Sequence, residues 1–316
     1  MTASTPTVRA LVAAPGRPGG VELRDVPAPT PADDHALVEV AAVSLNRGEV
    51  QGLARADDGT RPGWDLAGIV SRAAADGSGP ALGRRVVGLV DGGAWASTVA
   101  VPTSRLAIIP DRLEFATAAA LPVAGLTAYR TLQQSDLIEG QRVLVTGASG
   151  GVGRFAVQLA SHWGADVTAV VSRAERGAGL ADLGAASVVV GMPDDGEFDI
   201  ILESVGGESL AAALSQVAPG GIVVSFGNSS GEPTTFDIRQ FFPRHGARLQ
   251  GFRLIPELER LGSASLDLGA LAVLAGDGNL DPQIDLEVPW TDAAEAIERL
   301  LDRRLAGKAV LRLPTA

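Results

Sequence analysis

Between Thr146 and Gly153 the chain reads TGASGGVG, a run of small residues whose spacing suits the binding of a pyrophosphate. Ala148, Gly150 and Gly153 hold the three small-residue positions of the dinucleotide fingerprint, with Ala in the first. Small side chains there permit a tight turn, a close approach of backbone N–H groups to phosphate oxygens and close packing of helix on strand, and the helix N-terminus attracts anionic charge. The next chemically informative stretch, Ser172-Arg173-Ala174-Glu175-Arg176, lies where NAD-specific chains carry an acid for the ribose 2′-hydroxyl. A hydroxyl and two guanidinium groups suit a 2′-phosphate instead, because Arg forks match phosphate oxygens bidentately and a carboxylate at Ser172 would repel them. The expected cofactor is therefore NADPH. The alternative reading of Arg173 and Arg176 is the solvated first turn of a following helix.

These residues need a strand, a turn and a helix to hold them. Val143 to Val145 is a short apolar run of the kind buried on both faces of a parallel sheet, and Phe155, Ala156, Leu159 and Ala160 recur at helical spacing. A helix from Arg154 to Trp163 and a strand from Ala165 to Val171 complete a βαβ unit. Its rhythm continues through helix 174–183, strands 187–190 and 199–204, helix 208–217 and strand 221–227, which predicts a parallel sheet with helices on both faces. The short connection 191–198 leaves one crossover helix missing or vestigial.

The chain has 316 residues, 46% hydrophobic and 20% charged, with a formal net charge of -11. That composition predicts a globular chain with room for two domains. The acidic balance argues against nucleic-acid or anionic-membrane partners, which require clustered Lys and Arg. Lys308 is the only lysine and there is no cysteine, so disulfides and thiolate metal sites are excluded. Residues 1–18 lack the basic start and apolar core of a leader, and no apolar run approaches the ~20 residues that span a bilayer. The expected location is the cytoplasm.

The first third alternates apolar and polar residues in short runs broken by Gly and Pro, at 8–13, 21–26, 36–43, 66–72, 85–89 and 95–101, which predicts a barrel-like β domain without a long helix. Residues 45–62 are expected to form a polar loop suited to substrate contacts. After the nucleotide-binding rhythm come a loop with Phe236, Phe241 and Phe242, a strand at 248–254, helical patterns at 266–275 and 291–305, and a closing strand at 309–313. The last sixty or so residues lack the βαβ rhythm, so the chain is expected to return to its first domain. The expected division is an α/β chain with a β-rich domain of residues 1–118 and 258–316 and an inserted doubly wound domain of residues 119–257.

Ser44-Leu45-Asn46, GWDLAG at 63–68, AALP at 119–122 with GLTA at 125–128, the fingerprint, ESVGG at 203–207, the run 225–231 and Gly307-Lys308 together resemble the zinc-free, quinone oxidoreductase-like branch of the medium-chain dehydrogenase/reductase superfamily, over nearly the whole length. The resemblance implies a GroES-like catalytic domain, a Rossmann domain, NADPH in the cleft between them and a homodimer. It places Ala148, Ser149, Gly150, Gly151, Val152 and Gly153 on the pyrophosphate, and Ser172, Arg173 and Arg176 at the 2′-phosphate. Asn46 and Thr127 would lie beside the nicotinamide with Phe226, Gly227 and Asn228, and Gly307 and Lys308 would close over the cofactor.

Two departures limit what transfers. Zinc-dependent relatives carry His-Glu where this chain has Trp64-Asp65, and they use Cys ligands, so no metal is expected here. Many quinone and enoyl reductases carry Tyr where this chain has Gln51. Without a metal to stabilise an alkoxide, the fitting substrate is a quinone or an activated alkene, whose charge after hydride addition is delocalised. The competing readings are a dedicated enoyl reductase of a biosynthetic pathway and a non-enzymatic NADPH-binding protein of zeta-crystallin type. Asn46 is the candidate for orienting cofactor or substrate, with a loop-turn role as its alternative; Thr127 is a second candidate, or else the cap of the following helix. Glu49 and Gln51 are expected to be solvated, with a proton-relay role as the alternative for either, His35, His162 and His245 to be outside the chemistry, and the Phe cluster to serve core or dimer packing.

Overall fold

The computed structural model describes residues 6–314; residues 1–5 and 315–316, part of the expected β-rich domain, lie outside the described residues. The described chain divides into two compact units, one running from Thr127 to Glu257 and the other made of the residues before and after it.

The discontinuous unit is built on a seven-stranded sheet in which the long strand His35–Leu45 is central. It pairs antiparallel with Asp65–Arg72, with Thr98–Pro102 and with the C-terminal strand Lys308–Arg312. The register sets Ser44 opposite Asp65 and Leu45 opposite Ala309, so residues far apart in sequence meet at one strand end. Alternate inward side chains bury Val38, Val40, Leu66 and Val86 together with Trp95, as expected for a sheet with one face on a core. A separate hairpin joins Thr7–Ala13 to Val21–Pro27.

Three expectations change, the first two of them in this unit. Residues 45–62 are not wholly loop, because Arg47–Gly52 is a helix followed by a 3₁₀ turn Leu53–Arg55. Its cause was legible: Asn46 and Glu49 stand three apart and form a capping box, which satisfies backbone donors that a helix start leaves without intrahelical partners. Ile284–Pro289, where no strand is expected, is a strand parallel to Lys308–Arg312, and the alternation of Ile284, Leu286 and Val288 is its period-2 signal. The strand at 248–254 stops at Gly251, and Leu254 opens the helix Leu254–Leu261.

The continuous unit holds a six-stranded sheet, every pairing of which is parallel. Its order runs Ser187–Val190, Asp166–Val171, Arg142–Val145, Phe198–Glu203, Val217–Ser225, Arg248–Gly251, so the strand order reverses between Arg142–Val145 and Phe198–Glu203. Helices Gly151–His162 and Gly207–Gln216 cross between strands. The mixed α/β architecture with a Rossmann-like parallel sheet agrees with the sequence reading. The helix expected at 174–183 is only a 3₁₀ turn, Ala174–Gly177. A Cβ on Gly177 would stand 2.8 Å from Val188 Cγ1, and Gly179 adopts φ +75°, a conformation that ends helical propagation.

Candidate functional site

In the discontinuous unit the strand ends bring together Ser44, Asn46, Glu49, Asp65 and Lys308. Asp65 Oδ2 accepts from Ser44 Oγ and from Asn46 Nδ2, each at 2.7 Å, and its Oδ1 accepts the Val123 backbone N–H at 3.0 Å. Lys308 Nζ donates to Asn46 Oδ1 at 2.7 Å and to the Leu45 carbonyl at 3.0 Å. Glu49 Oε1 accepts from Asn46 N at 2.6 Å and from Asn46 Nδ2 at 3.3 Å. Asn46 thus spends both amide hydrogens and its carbonyl inside this cluster, so its amide organises neighbouring groups. The loop-turn alternative is corrected by its place at the N-cap of Arg47–Gly52.

Burial governs the electrostatics. Asn46, Glu49, Asp65 and Lys308 are 8%, 7%, 0% and 3% exposed. Glu49, expected in solvent, sits inside because its carboxylate closes the capping box. Burial pushes its carboxyl well above the usual range, and Asp65 adds to the shift. The same burial lowers the Lys308 ammonium, against the pull of Asp65 and Glu49. Glu49 Oε2 is buried without a hydrogen-bond partner. Gln51 is exposed, as expected, and borders an open hollow of about 840 Å³ together with Gly48, Val50, Arg55 and Leu301. Trp64 supports this helix: a Cβ on Gly48 would lie 3.0 Å from its Cη2.

In the continuous unit the expected cofactor residues gather at the C-terminal edge of the parallel sheet. The strand Arg142–Val145 leads into Gly147, at φ +59°, which makes the sharp bend that the fingerprint assigns to its first small residue. Ala148 is fully buried, Ser149 follows it, and Gly150 is the N-cap of the helix that begins at Gly151 and Val152. A Cβ on Gly153 would stand 2.6 Å from both Ala148 Cα and Gly147 O, so only glycine allows this closeness of helix and turn. The first N–H groups of that helix have no intrahelical partner, which leaves donors of the kind that suit an anion at the turn.

Ser172 and Arg173 are exposed just past Val171, at the end of the neighbouring strand, and Arg176 follows in the 3₁₀ turn. Glu175 approaches Arg173 at 3.8 Å, an exposed pairing of little energetic weight. Phe226 is half-buried beyond the strand Val217–Ser225, while Gly227 and Asn228 are exposed. Asn228 Oδ1 accepts from Ser230 Oγ at 3.0 Å and from Gly231 N at 3.2 Å. Thr127 lies within the helix Pro122–Leu132, so it caps no helix; Pro122 opens that helix and Thr127 O accepts from Thr131 Oγ1.

Composition and motif spacing singled out neither Asp65 nor Glu203 for such roles. Glu203 is fully buried, and its Oε1 accepts from Val205 N at 2.9 Å, Gly206 N at 3.1 Å and Thr146 Oγ1 at 3.2 Å, which ties the two loops flanking the strand-order reversal. The signal was an acid closing the apolar run Phe198–Glu203. His35 pairs with exposed Asp34, and His162 ends a helix.

A family model described as zinc-binding dehydrogenase matches residues 151–261. The chain is 31% identical over 313 residues to the 2-methylene-furan-3-one reductase of Solanum lycopersicum, covering 91% of this chain and 74% of that protein. It is 35% identical over 292 residues to the spectinabilin polyketide synthase system protein NorB of Streptomyces orinoci, covering 88% of this chain and 13% of that much longer relative. A solved mycobacterial quinone oxidoreductase is 25% identical with a TM-score of 0.86, over 97% of this chain and all of that one. A mycobacterial protein solved in complex with NADPH shares the fold, with 24% identity and a TM-score of 0.82 over 96% of this chain and 99% of that one. The zinc in the family description has no matching donor set here: the chain has no cysteine, and among the described residues no three His, Asp or Glu are grouped to hold a metal. No helix among the described residues is long and apolar enough to cross a membrane.

Proposed function

Because the chain belongs to the quinone oxidoreductase-like branch of the medium-chain dehydrogenase/reductase superfamily, we propose that this oxidoreductase uses NADPH to reduce a quinone or an activated, α,β-unsaturated carbonyl alkene. The observation that carries the reading is the pair of loops on adjacent parallel strands, one a glycine turn at a helix N-terminus and the other presenting Ser172, Arg173 and Arg176. NADPH, when bound, supplies the hydride. The turn 147–153 offers backbone N–H groups to the pyrophosphate, and Ser172, Arg173 and Arg176 offer donors to the 2′-phosphate. Phe226, Gly227 and Asn228 border the nicotinamide end, with Thr127 as a further contact. Asn46 acts as a positioning residue, since its amide is committed to Asp65, Glu49 and Lys308. Lys308 serves the site through the same cluster, by fixing the end of the strand His35–Leu45.

Two features support the acceptor class. The chain has no cysteine, and among the described residues no three His, Asp or Glu are grouped to hold a metal, so a substrate whose charge delocalises after hydride addition fits better than a simple ketone. The tomato relative is named as a reductase of a methylene-furanone, an activated alkene. The test is NADPH oxidation followed at its absorbance maximum against a panel of quinones and enones. Preference for NADH, unaffected by Arg176→Ala, overturns the cofactor assignment.

The resemblance to a polyketide synthase component favours a second reading, a reductase dedicated to enoyl thioesters. Turnover of an enoyl thioester with no turnover of quinones would establish it. Tight NADPH binding without turnover of any acceptor would instead point to a non-enzymatic NADPH-binding protein. We place the enzyme in the cytoplasm as a homodimer. The edge strand Arg248–Gly251 leaves Leu249 exposed, with Phe236 and Phe242 exposed in the preceding segment, an apolar edge that a second copy would cover. Light scattering of the purified chain measures this directly.

A further inference from the structure

The helix after the glycine turn carries Arg154 in its opening turns, where a cation opposes the helix dipole. Only 6% of the residue is exposed. Its guanidinium doubles back: Nε donates to the Ser149 carbonyl at 3.3 Å, and Nη2 donates to the Ala178 carbonyl at 3.1 Å. Ser149 belongs to the pyrophosphate turn, and Ala178 closes the 3₁₀ turn that bears Arg176. One rigid fork therefore joins the two loops on which the NADPH reading depends. A lysine, with a single compact ammonium on a flexible stem, cannot reproduce that geometry.

The second loop needs such a tie. A regular helix would have held residues 174–183 by its own hydrogen bonds, and here that helix is absent. The segment is anchored instead by buried Leu180, by Gly177 against Val188, by Gly184 against Ser161 of the helix and by Arg154. Of these anchors Arg154 alone also binds the glycine turn. A site held in place before its ligand arrives spends less of its binding energy on ordering.

We propose that Arg154 is a positioning residue for dinucleotide discrimination, fixing the loop of Ser172, Arg173 and Arg176 against the pyrophosphate turn so that a 2′-phosphate meets a preformed set of donors. The inference rests on the NADPH reading above. It assigns Arg154 no contact with the cofactor.

The test uses the purified full chain and two variants, Arg154→Met and Arg154→Lys. Titration calorimetry with NADPH, NADH and 2′,5′-ADP is combined with limited trypsin digestion, which reads the mobility of the loop at Arg173 and Arg176. Loss of charge-assisted hydrogen bonds at a buried fork is expected to weaken NADPH and 2′,5′-ADP about tenfold in both variants, with NADH changed less than about twofold. Cleavage at Arg173 and Arg176 is expected to accelerate. Unchanged preference for NADPH overturns the proposal whatever the cleavage rate, as does an equal loss for NADPH and NADH, which marks a purely structural residue. Arg154→Lys keeps the positive charge and carries the test if Arg154→Met does not fold. A wild-type chain that does not prefer NADPH overturns the cofactor reading first, and this inference with it; a wild-type preference that both variants retain overturns this inference alone.

Discussion

Lys308 Nζ lies 3.6 Å from Asp65 Oδ2, with the two side chains 3% and 0% exposed, on strands that flank the end of His35–Leu45 from opposite sides. The chain's only lysine is thus spent on a buried pair. Removing one partner leaves the other charge buried without compensation, whereas hydrophobic replacement of both can be neutral. Lys308→Met is therefore expected to lower stability by about 3–5 kcal/mol. The double variant Lys308→Met/Asp65→Leu is expected to recover part of that loss in urea unfolding, and a double variant as unstable as the sum of the singles would contradict the pairing.

Glu49 makes stability depend on pH. Burial, with Asp65 second, holds its carboxyl above the usual range, so the folded chain binds this proton more tightly than the unfolded one. The stability it contributes is fully present below the unfolded carboxylate range and is lost as pH rises through the raised value. Lys308, lowered by burial, runs oppositely, its penalty being full at low pH and relieved as pH climbs. Urea midpoints measured between about pH 5 and 9 should fall more steeply with pH in the wild type than in Glu49→Gln. Parallel curves would remove Glu49 from the account.

Gly153→Ala tests the fingerprint turn. The added methyl would stand 2.6 Å from Ala148 Cα, a backbone atom that cannot swing away. Overpacking of this kind costs about 1–3 kcal/mol, and the displaced helix start should weaken NADPH and NADH alike. Full retention of cofactor affinity in calorimetry would show that the turn tolerates opening.

Ser172→Asp tests the 2′-phosphate assignment. Ser172 is exposed at the end of its strand, so the substitution should leave thermal stability within about 0.5 kcal/mol. A carboxylate there repels the phosphate and accepts a ribose hydroxyl, which is expected to shift the NADPH to NADH affinity ratio by at least about tenfold. An unshifted ratio would place the 2′-phosphate elsewhere.

Much of the unit Thr127–Glu257 was legible because its signals are local. The apolar run Val143–Val145, the glycine spacing and the periodic Phe155, Ala156, Leu159 and Ala160 each specify backbone geometry within a few residues. Of the failures, one has a tertiary cause and the other a local one. Residues 174–183 have helical composition around Ala, Leu and Glu, yet the close approach of Gly177 to Val188 overrides propensity, and that approach is a tertiary fact. The short helix Arg47–Gly52 was readable from Asn46 and Glu49 and was obscured by the polarity of its surroundings.

The sequence by itself determined the α/β class, the glycine turn before the helix Gly151–His162 and the mismatch with a thiolate or His-Glu metal site, since each depends on residue types at fixed short spacing. Only the tertiary structure decided what Asn46, Glu49, Asp65 and Lys308 do. Strand register joins residues 262 apart in a hydrogen bond, and burial then sets the charge on each group. Neither register nor burial is written in local spacing, because both arise when distant strands pair and exclude water.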